Sequence, residues 1–250
     1  MIAAELHTLR EHLRDASAIA TGLERVREMG YAGVELAGLG PIEPSELASR
    51  LRETGLVACS AHIGWDRLRY ETDAAIEDCQ TWGCSHAVVP LLPDRYRDAA
   101  GYARFAAETG DVAPRLHEAG IRLGYHNHSF ELEHFGTESG LEILYRSSDR
   151  ALLDAQIDTY WIQHGGGSPA GWIRRLRGRV PLVHLKDMDV SEGQPVMAEV
   201  GEGNLDWQDV LAACREAEVL WLIVEQDVCR RDPFESLAIS HRNLAALGAT

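Results

Sequence analysis

The chain has little of several features that would each have assigned it a role. Its five cysteines, Cys59, Cys79, Cys84, Cys214 and Cys229, are odd in number and form no C-x-x-C pair. That argues against both a disulfide framework and a thiolate zinc knuckle, and leaves them as small buried apolar residues in a reducing compartment. Positive charge is scarce: 24 Lys+Arg stand against 39 Asp+Glu, a formal net charge of -15. No Lys/Arg cluster is long enough to track a phosphate backbone, so nucleic acid is not an expected partner. No window approaches the roughly 20 apolar residues that span a bilayer, and the opening "MIAAELHTLREHLRD" turns charged too early for a signal peptide. The expectations are no membrane partner and a cytoplasmic location. No Pro/Gly/Ser-rich linker or low-complexity segment divides the chain, so residues 1–250 are expected to form one domain.

What is present is a repeated join. "EMGYAGVEL" (28–36), "ETGLVACSAH" (53–62), "TWGCSHAVVP" (81–90) and "EAGIRLGYH" (118–126) each read as a helix end, a glycine and an aliphatic run. The glycines Gly30, Gly55, Gly83 and Gly120 suit the left-handed position that closes a helix. Before the first join, Ile19, Leu23, Val26 and Met29 recur at helical spacing beside Glu24, Arg25 and Arg27.

The alternation continues with strands near 152–158, 180–186 and 219–226 and helices near 137–147, 169–177, 206–217 and 233–247. An initial strand around 2–8 brings the strand candidates to eight. Runs such as "HAVVP", "VPLVHLKD" and "LWLIVEQD" are almost wholly apolar until a polar C-terminal end, as in parallel strands covered on both faces. Eight such units predict an α/β fold, a (β/α)8 TIM barrel with its site at the C-terminal strand ends; about 250 residues is the usual length for one. An open doubly wound sheet is the alternative, but it would usually carry a Gly-rich phosphate loop where "HTLREHLRD" stands.

The strand ends gather the candidate chemistry: Glu35, His62, the segment "GYHNHSFELEHFG" (124–136), Asp158, His184 with Lys186 and Asp187, and Glu225 with Asp227. In a barrel these converge on one mouth. A mixed carboxylate and imidazole set suits a divalent ion such as Mn²⁺, Co²⁺, Fe²⁺, Zn²⁺ or Mg²⁺. Taken singly, a strand-end His is an ordinary hydrogen-bonding group and an Asp after a strand an ordinary helix cap; the argument rests on their coincidence. Glu133 and His134 read as loop decoration. Strand alternation turns His126 and His128 one way, and Tyr125 and Asn127 the other.

In order, "ELHTLR" (5–10), "GVEL" (33–36), "SAHIG" (60–64), "YHNHSFE" (125–131), "DTYW" (158–161), "HLKDM" (184–188), "GEGNLDW" (201–207) and "VEQD" (224–227) resemble the sugar phosphate isomerase/epimerase superfamily with a xylose isomerase-like barrel. The likeness spans essentially the whole chain and is nearest in motif style to the branch handling inososes and 3-keto sugars. It implies one divalent metal, Mn²⁺ foremost, held by Asp158, His184 and Glu225 with a fourth ligand from the segment after strand five. Glu131 is the preferred fourth ligand, with His126 as acid/base; His126 as the ligand is the alternative. His126, Glu225 and Lys186 are the catalytic candidates, Lys186 neutralising oxyanion charge unless it forms a structural ion pair with Asp187 or Asp227. Glu35, His62, His128 and Trp161 are substrate-binding candidates, and Trp65 and Trp161 can wall a sugar face or pack under loops. The family often has a substrate-contacting His where Trp161 stands, with His164 coming later.

The implied activity is isomerisation or epimerisation of a keto-sugar or cyclitol through an enediolate. A lyase dehydrating an inosose or opening a 3-keto glycoside is the runner-up, and a non-catalytic sugar-binding barrel is the reading from another class. An endonuclease IV-like hydrolase is disfavoured by the acidic surface. The expected partner is a small sugar or cyclitol, and the resemblance also suggests a homodimer.

Overall fold

The barrel closes because eight short, nearly all-apolar strands pair in parallel while amphipathic helices cover their outer faces. A computed structural model describes residues 1–249. The strands are β1 (Ile2–Glu5), β2 (Gly33–Leu36), β3 (Val57–His62), β4 (His86–Val89), β5 (Arg122–His126), β6 (Leu153–Asp158), β7 (Leu182–Leu185) and β8 (Trp221–Val224). Each pairs with its sequence neighbours, and β8 returns to β1 through Ile2↔Leu222, Ala3↔Ile223 and Ala4↔Val224. The expected (β/α)8 barrel is therefore the fold.

The joins form as their residues dictate. Gly30, Gly55, Gly83 and Gly120 all have positive φ, the conformation that lets the chain leave a helix and enter a strand. The helix Ala16–Glu28 starts where the Asp15 side chain accepts from Ala18 N–H, and it buries Ile19, Leu23 and Val26. Among the described residues no helix is long and apolar enough to cross a membrane.

Two apolar layers result. The larger lies between strands and helices and holds Leu23, Val34, Phe105, Leu123, Tyr125, Ile157 and Val183. The smaller, of Ala3, Cys59, Val88, Leu182, Trp221 and Ile223, fills the barrel itself. Gly33 makes room for it, since a Cβ there would stand 2.7 Å from Val57 O and 2.9 Å from the Trp221 ring. Strand alternation then sends the residues two places beyond Ala3, Leu182 and Ile223 to the mouth: Glu5, His184 and Glu225.

Two hairpins lie outside the eightfold pattern: His134–Phe135 with Glu138–Ser139, and Asp187–Ser191 with Gln194–Ala198. Asp187 anchors the second. Its carboxylate accepts from the N–H groups of Met188, Gly201, Gly203 and Leu205 and from Trp207 Nε1. This explains "GEGNLDW" as a loop wrapped around a buried carboxylate, and it commits Asp187 to structure.

Candidate active site

Seven strands supply polar groups to the C-terminal mouth, and several of these groups are almost fully enclosed. Glu5, Glu35, Asp158, His184 and Lys186 are each at most 1% exposed. Buried charge on this scale is tolerated only where partners or a cation compensate it.

Glu35 forms the floor. Its Oε1 accepts from Ser60 Oγ and Gln156 Nε2, both at 2.6 Å, and its Oε2 lies 2.6 Å from His184 Nε2 and 3.3 Å from His62 Nε2. Burial alone would raise this carboxyl, but the charges of His62 and His184 and the hydrogen bonds from His184 and Ser60 bring it down to about 2. A carboxylate so engaged has no face left for substrate. The structure thus makes Glu35 a support for the histidines in place of the substrate contact expected from sequence.

Above the floor, His126, Asp158, His184 and Glu225 each offer one ligand atom, and these atoms lie within 4.8 Å of one another. His126 Nε2 is 3.8 Å and His184 Nδ1 3.9 Å from Asp158 Oδ2, and His184 Nδ1 is 2.8 Å from Glu225 Oε2. Burial would lower His184, yet Glu35, Glu5 and its bonds to Glu225 and Glu35 raise it to about 10. A proton thus occupies a nitrogen lying among carboxylates. Burial lifts Asp158 to about 6 against the pull of Lys186 and His184. Its Oδ1 caps the following helix at Trp161 N–H, while its buried Oδ2 has the Lys186 ammonium at 3.0 Å. Two imidazole nitrogens and two carboxylates fit a divalent ion in donor chemistry and charge.

Glu131 is not in this group. Strand alternation turns Tyr125 outward, into the layer beneath the helices, and Glu131 follows it there. Its Oε1 accepts from Tyr125 Oη at 2.5 Å and its Oε2 from His128 N–H at 2.8 Å. Burial lifts it to about 7. The preferred sequence expectation, Glu131 as fourth ligand, is therefore corrected: in the structure His126 stands beside Asp158, His184 and Glu225, and Glu131 braces the turn behind it. The Phe130–Leu132 3₁₀ turn sends Glu131 back toward Tyr125, a direction the motif does not reveal.

Lys186 forms one of the two ion pairs that the sequence left open for it. Its ammonium lies 2.5 Å from Glu225 Oε2, 2.8 Å from Asp227 Oδ2 and 3.0 Å from Asp158 Oδ2. Burial would lower it, but Asp158, Glu225 and Asp227 hold it well above the usual lysine value. Of the two ion-pair partners weighed from sequence, Asp227 is present and Asp187 is not. Glu225 is held well below the carboxylate range, Lys186 and His184 outweighing burial.

Over the cluster opens a cavity of about 370 Å³ lined by Glu5, His7, Ala37, Gly38, His62, Pro90, Leu91, His126, His128, Glu225 and Asp227. His128 Nδ1 is buried and unpartnered, and burial pushes its ring down to about 3. The His128 ring lies between Phe130 and Trp161, at 5.7 and 5.4 Å. Trp65 is elsewhere: it is 1% exposed and packs edge-on against Phe105, so the wall it was allowed from sequence is a core contact.

Sequence reasoning passed over Glu5, His7 and Gln156. Glu5 Oε1 is 3.1 Å from His62 Nδ1 and its Oε2 has no hydrogen-bond partner. Burial and the nearby Glu225 hold Glu5 well above the usual carboxylate range. The signal for Gln156 was available, since "DAQID" puts Asp154, Gln156 and Asp158 on one face of a strand whose other residues are apolar.

Comparison with known proteins agrees with this fold. The chain is 25% identical over 260 residues to the inosose dehydratase of Geobacillus kaustophilus, covering 88% of this chain and 81% of that protein. It is 24% identical over 267 residues to the rhizopine catabolism protein MocC of Rhizobium meliloti, covering 91% and 81%. A solved sugar phosphate isomerase/epimerase from Parabacteroides distasonis superposes with a TM-score of 0.82 at 21% identity, over 98% of this chain and 93% of that one, a likeness of fold. The family described as xylose isomerase-like TIM barrel matches residues 23–242, and the chain belongs to it.

Proposed function

We propose that the protein is a divalent-metal-dependent isomerase or epimerase of an unphosphorylated keto-sugar or cyclitol, acting through an enediolate. One observation carries the reading: His126, Asp158, His184 and Glu225, from four different strands, offer ligand atoms at a single buried point beneath an open cavity. These four would hold the ion, with Mn²⁺ the first candidate and Co²⁺, Fe²⁺, Zn²⁺ and Mg²⁺ of the same donor preference. Bound there, a divalent ion would stabilise negative charge on adjacent substrate oxygens as a proton leaves the hydroxyl-bearing carbon next to the carbonyl.

The chain's own groups supply the rest. Glu225, kept ionised beside Lys186, is a carboxylate able to take a proton at one wall. His128 and His62 line other walls of the cavity. Proton-moving groups on separate walls suit both 1,2-isomerisation and inversion. Lys186 holds three carboxylates in place and leaves the oxyanion to other groups. No Lys or Arg lines the cavity, whereas Glu5, Glu225 and Asp227 do; a phosphate dianion would meet like charge there, which supports an unphosphorylated substrate.

A second reading, dehydration of an inosose, is favoured by the similarity to the Geobacillus dehydratase. It shares the first proton abstraction and differs in expelling a β-hydroxyl. The test begins with protein purified without chelator, followed by elemental analysis of the parent, Asp158→Ala and Glu225→Ala. About one metal per chain in the parent, absent from both variants, is expected, together with deuterium incorporation into keto-sugars or inososes in D₂O. An absorbing enone product instead selects the dehydratase. No metal in the parent after incubation with Mn²⁺ or Co²⁺ overturns both readings.

A further inference from the structure

Gln156 lies under the cluster and touches none of the cavity, yet its amide connects three of the site's side chains. Its orientation follows from donors and acceptors alone. Its NH₂ group donates to Glu35 Oε1 at 2.6 Å, an oxygen that also accepts from Ser60 Oγ. The carbonyl Oε1 then faces His126 Nδ1 at 3.1 Å and His62 Nε2 at 2.9 Å. A carbonyl oxygen accepts and never donates, so each of those ring nitrogens must carry hydrogen.

For His126 this decides the tautomer. An imidazole that offers one nitrogen to a metal ion keeps its hydrogen on the other. Hydrogen on Nδ1 leaves Nε2 bare, and Nε2 is the nitrogen turned toward Asp158 Oδ2. Glu35 orients His184 likewise: it accepts from Nε2 at 2.6 Å, which turns Nδ1 toward Asp158 and Glu225. One carboxylate and one amide thus turn two ring nitrogens toward one point.

We propose that Gln156, pinned by Glu35, is a positioning residue that locks His126 in its Nδ1–H tautomer and presents Nε2 as a metal-ligand lone pair. The inference rests on the reading of the mouth as a metal site, and it adds the device that makes His126 competent. Gln156 serves His126 as a carboxylate or carbonyl serves a metal-bound histidine elsewhere, through the nitrogen remote from the ion.

The test is nitrogen NMR of ¹⁵N-histidine-labelled protein near neutral pH, with His126→Gln used to assign the resonance, and calorimetric titration with Zn²⁺. In the metal-free parent His126 carries its proton on Nδ1, and Zn²⁺ leaves that assignment unchanged. In Gln156→Leu the His126 population shifts toward Nε2–H and Zn²⁺ affinity falls about 10–100-fold. A parent His126 protonated on Nε2 overturns the proposal, as does a folded Gln156→Leu with an unchanged tautomer and Zn²⁺ affinity within about twofold of the parent. Should Gln156→Leu fail to fold, the parent spectrum alone decides. A parent with His126 on Nδ1–H that binds no Zn²⁺ sinks the metal-site reading and leaves the tautomer lock standing.

Discussion

The two ends of the barrel both bury charge, and they do so in opposite ways. Near the N-terminal end, Arg122 on β5 grips Asp154 on β6 through two parallel hydrogen bonds of 2.8 and 2.6 Å. Nearby, Arg179 donates to the carbonyls of Leu153 and Tyr145 and to Ser148 Oγ. Every donor there has a matching acceptor. At the C-terminal mouth, Asp158, Glu225 and Asp227 share one ammonium, Glu5 and Glu35 are buried beside them, and Glu5 Oε2 and His128 Nδ1 are buried without hydrogen-bond partners. A closed pair such as Arg122–Asp154 stabilises the fold, whereas unsatisfied lone pairs and surplus negative charge cost stability and are retained where a cation or substrate completes them.

The contrast is sharpened most by removing a group from the cluster itself. Glu225→Gln is expected to lower turnover at least about a hundredfold, because it removes both a proposed ligand and a proton carrier; steady-state rates and metal content measured together check this. Lys186→Met strips the mouth of its ammonium and should cost about 3–5 kcal/mol in urea unfolding of the metal-free protein. Saturating Mn²⁺ should shrink that loss, since a cation would again face Asp158 and Glu225. An equal loss with and without Mn²⁺ would break the comparison.

Smaller effects test the other end. Asp154→Ala should cost about 2 kcal/mol, less than a fully buried pair because the Arg122 side chain is one-third exposed. Mn²⁺ should leave that value untouched. Glu5→Gln, which deletes a carboxylate from a crowded acidic site, should leave stability unchanged or raise it. A loss as large as that of Asp154→Ala would show that the mouth is no more frustrated than the floor.

The smallest expected loss lies outside both regions, at the capping box of helix Gly140–Ser147. Ser139→Ala should cost about 1 kcal/mol. Glu142 there is held down to about 2 by the Ser139 N–H and Arg175. Its folded pKa is below its unfolded value, so its stabilisation is complete above the ordinary glutamate range and lost as pH falls toward 2. Glu142→Gln should flatten that acid limb of a stability–pH profile.

Much of this was legible beforehand, for identifiable reasons. The helix–glycine–strand joins are local, and each glycine marks a backbone conformation that few other residues adopt readily. The polar strand ends were visible because a parallel strand is apolar until it leaves the sheet. Asp158, His184 and Glu225 were found that way. Glu131 misled because a turn's exit direction is set by what it packs on, here Tyr125. Gln156 was passed over because it lies inside a strand, where attention to strand ends does not look.

The sequence by itself determined the alternation, the eight strands, the barrel and the identity of most mouth residues, because all of these follow from periodicity along the chain. Only the tertiary structure decided that His126 and not Glu131 joins the cluster, that Lys186 is spent on three carboxylates, and that Gln156 reaches Glu35 across 121 positions. Those outcomes depend on the directions in which side chains from different strands converge, and direction across a closed barrel is fixed by register and packing, which no local pattern encodes.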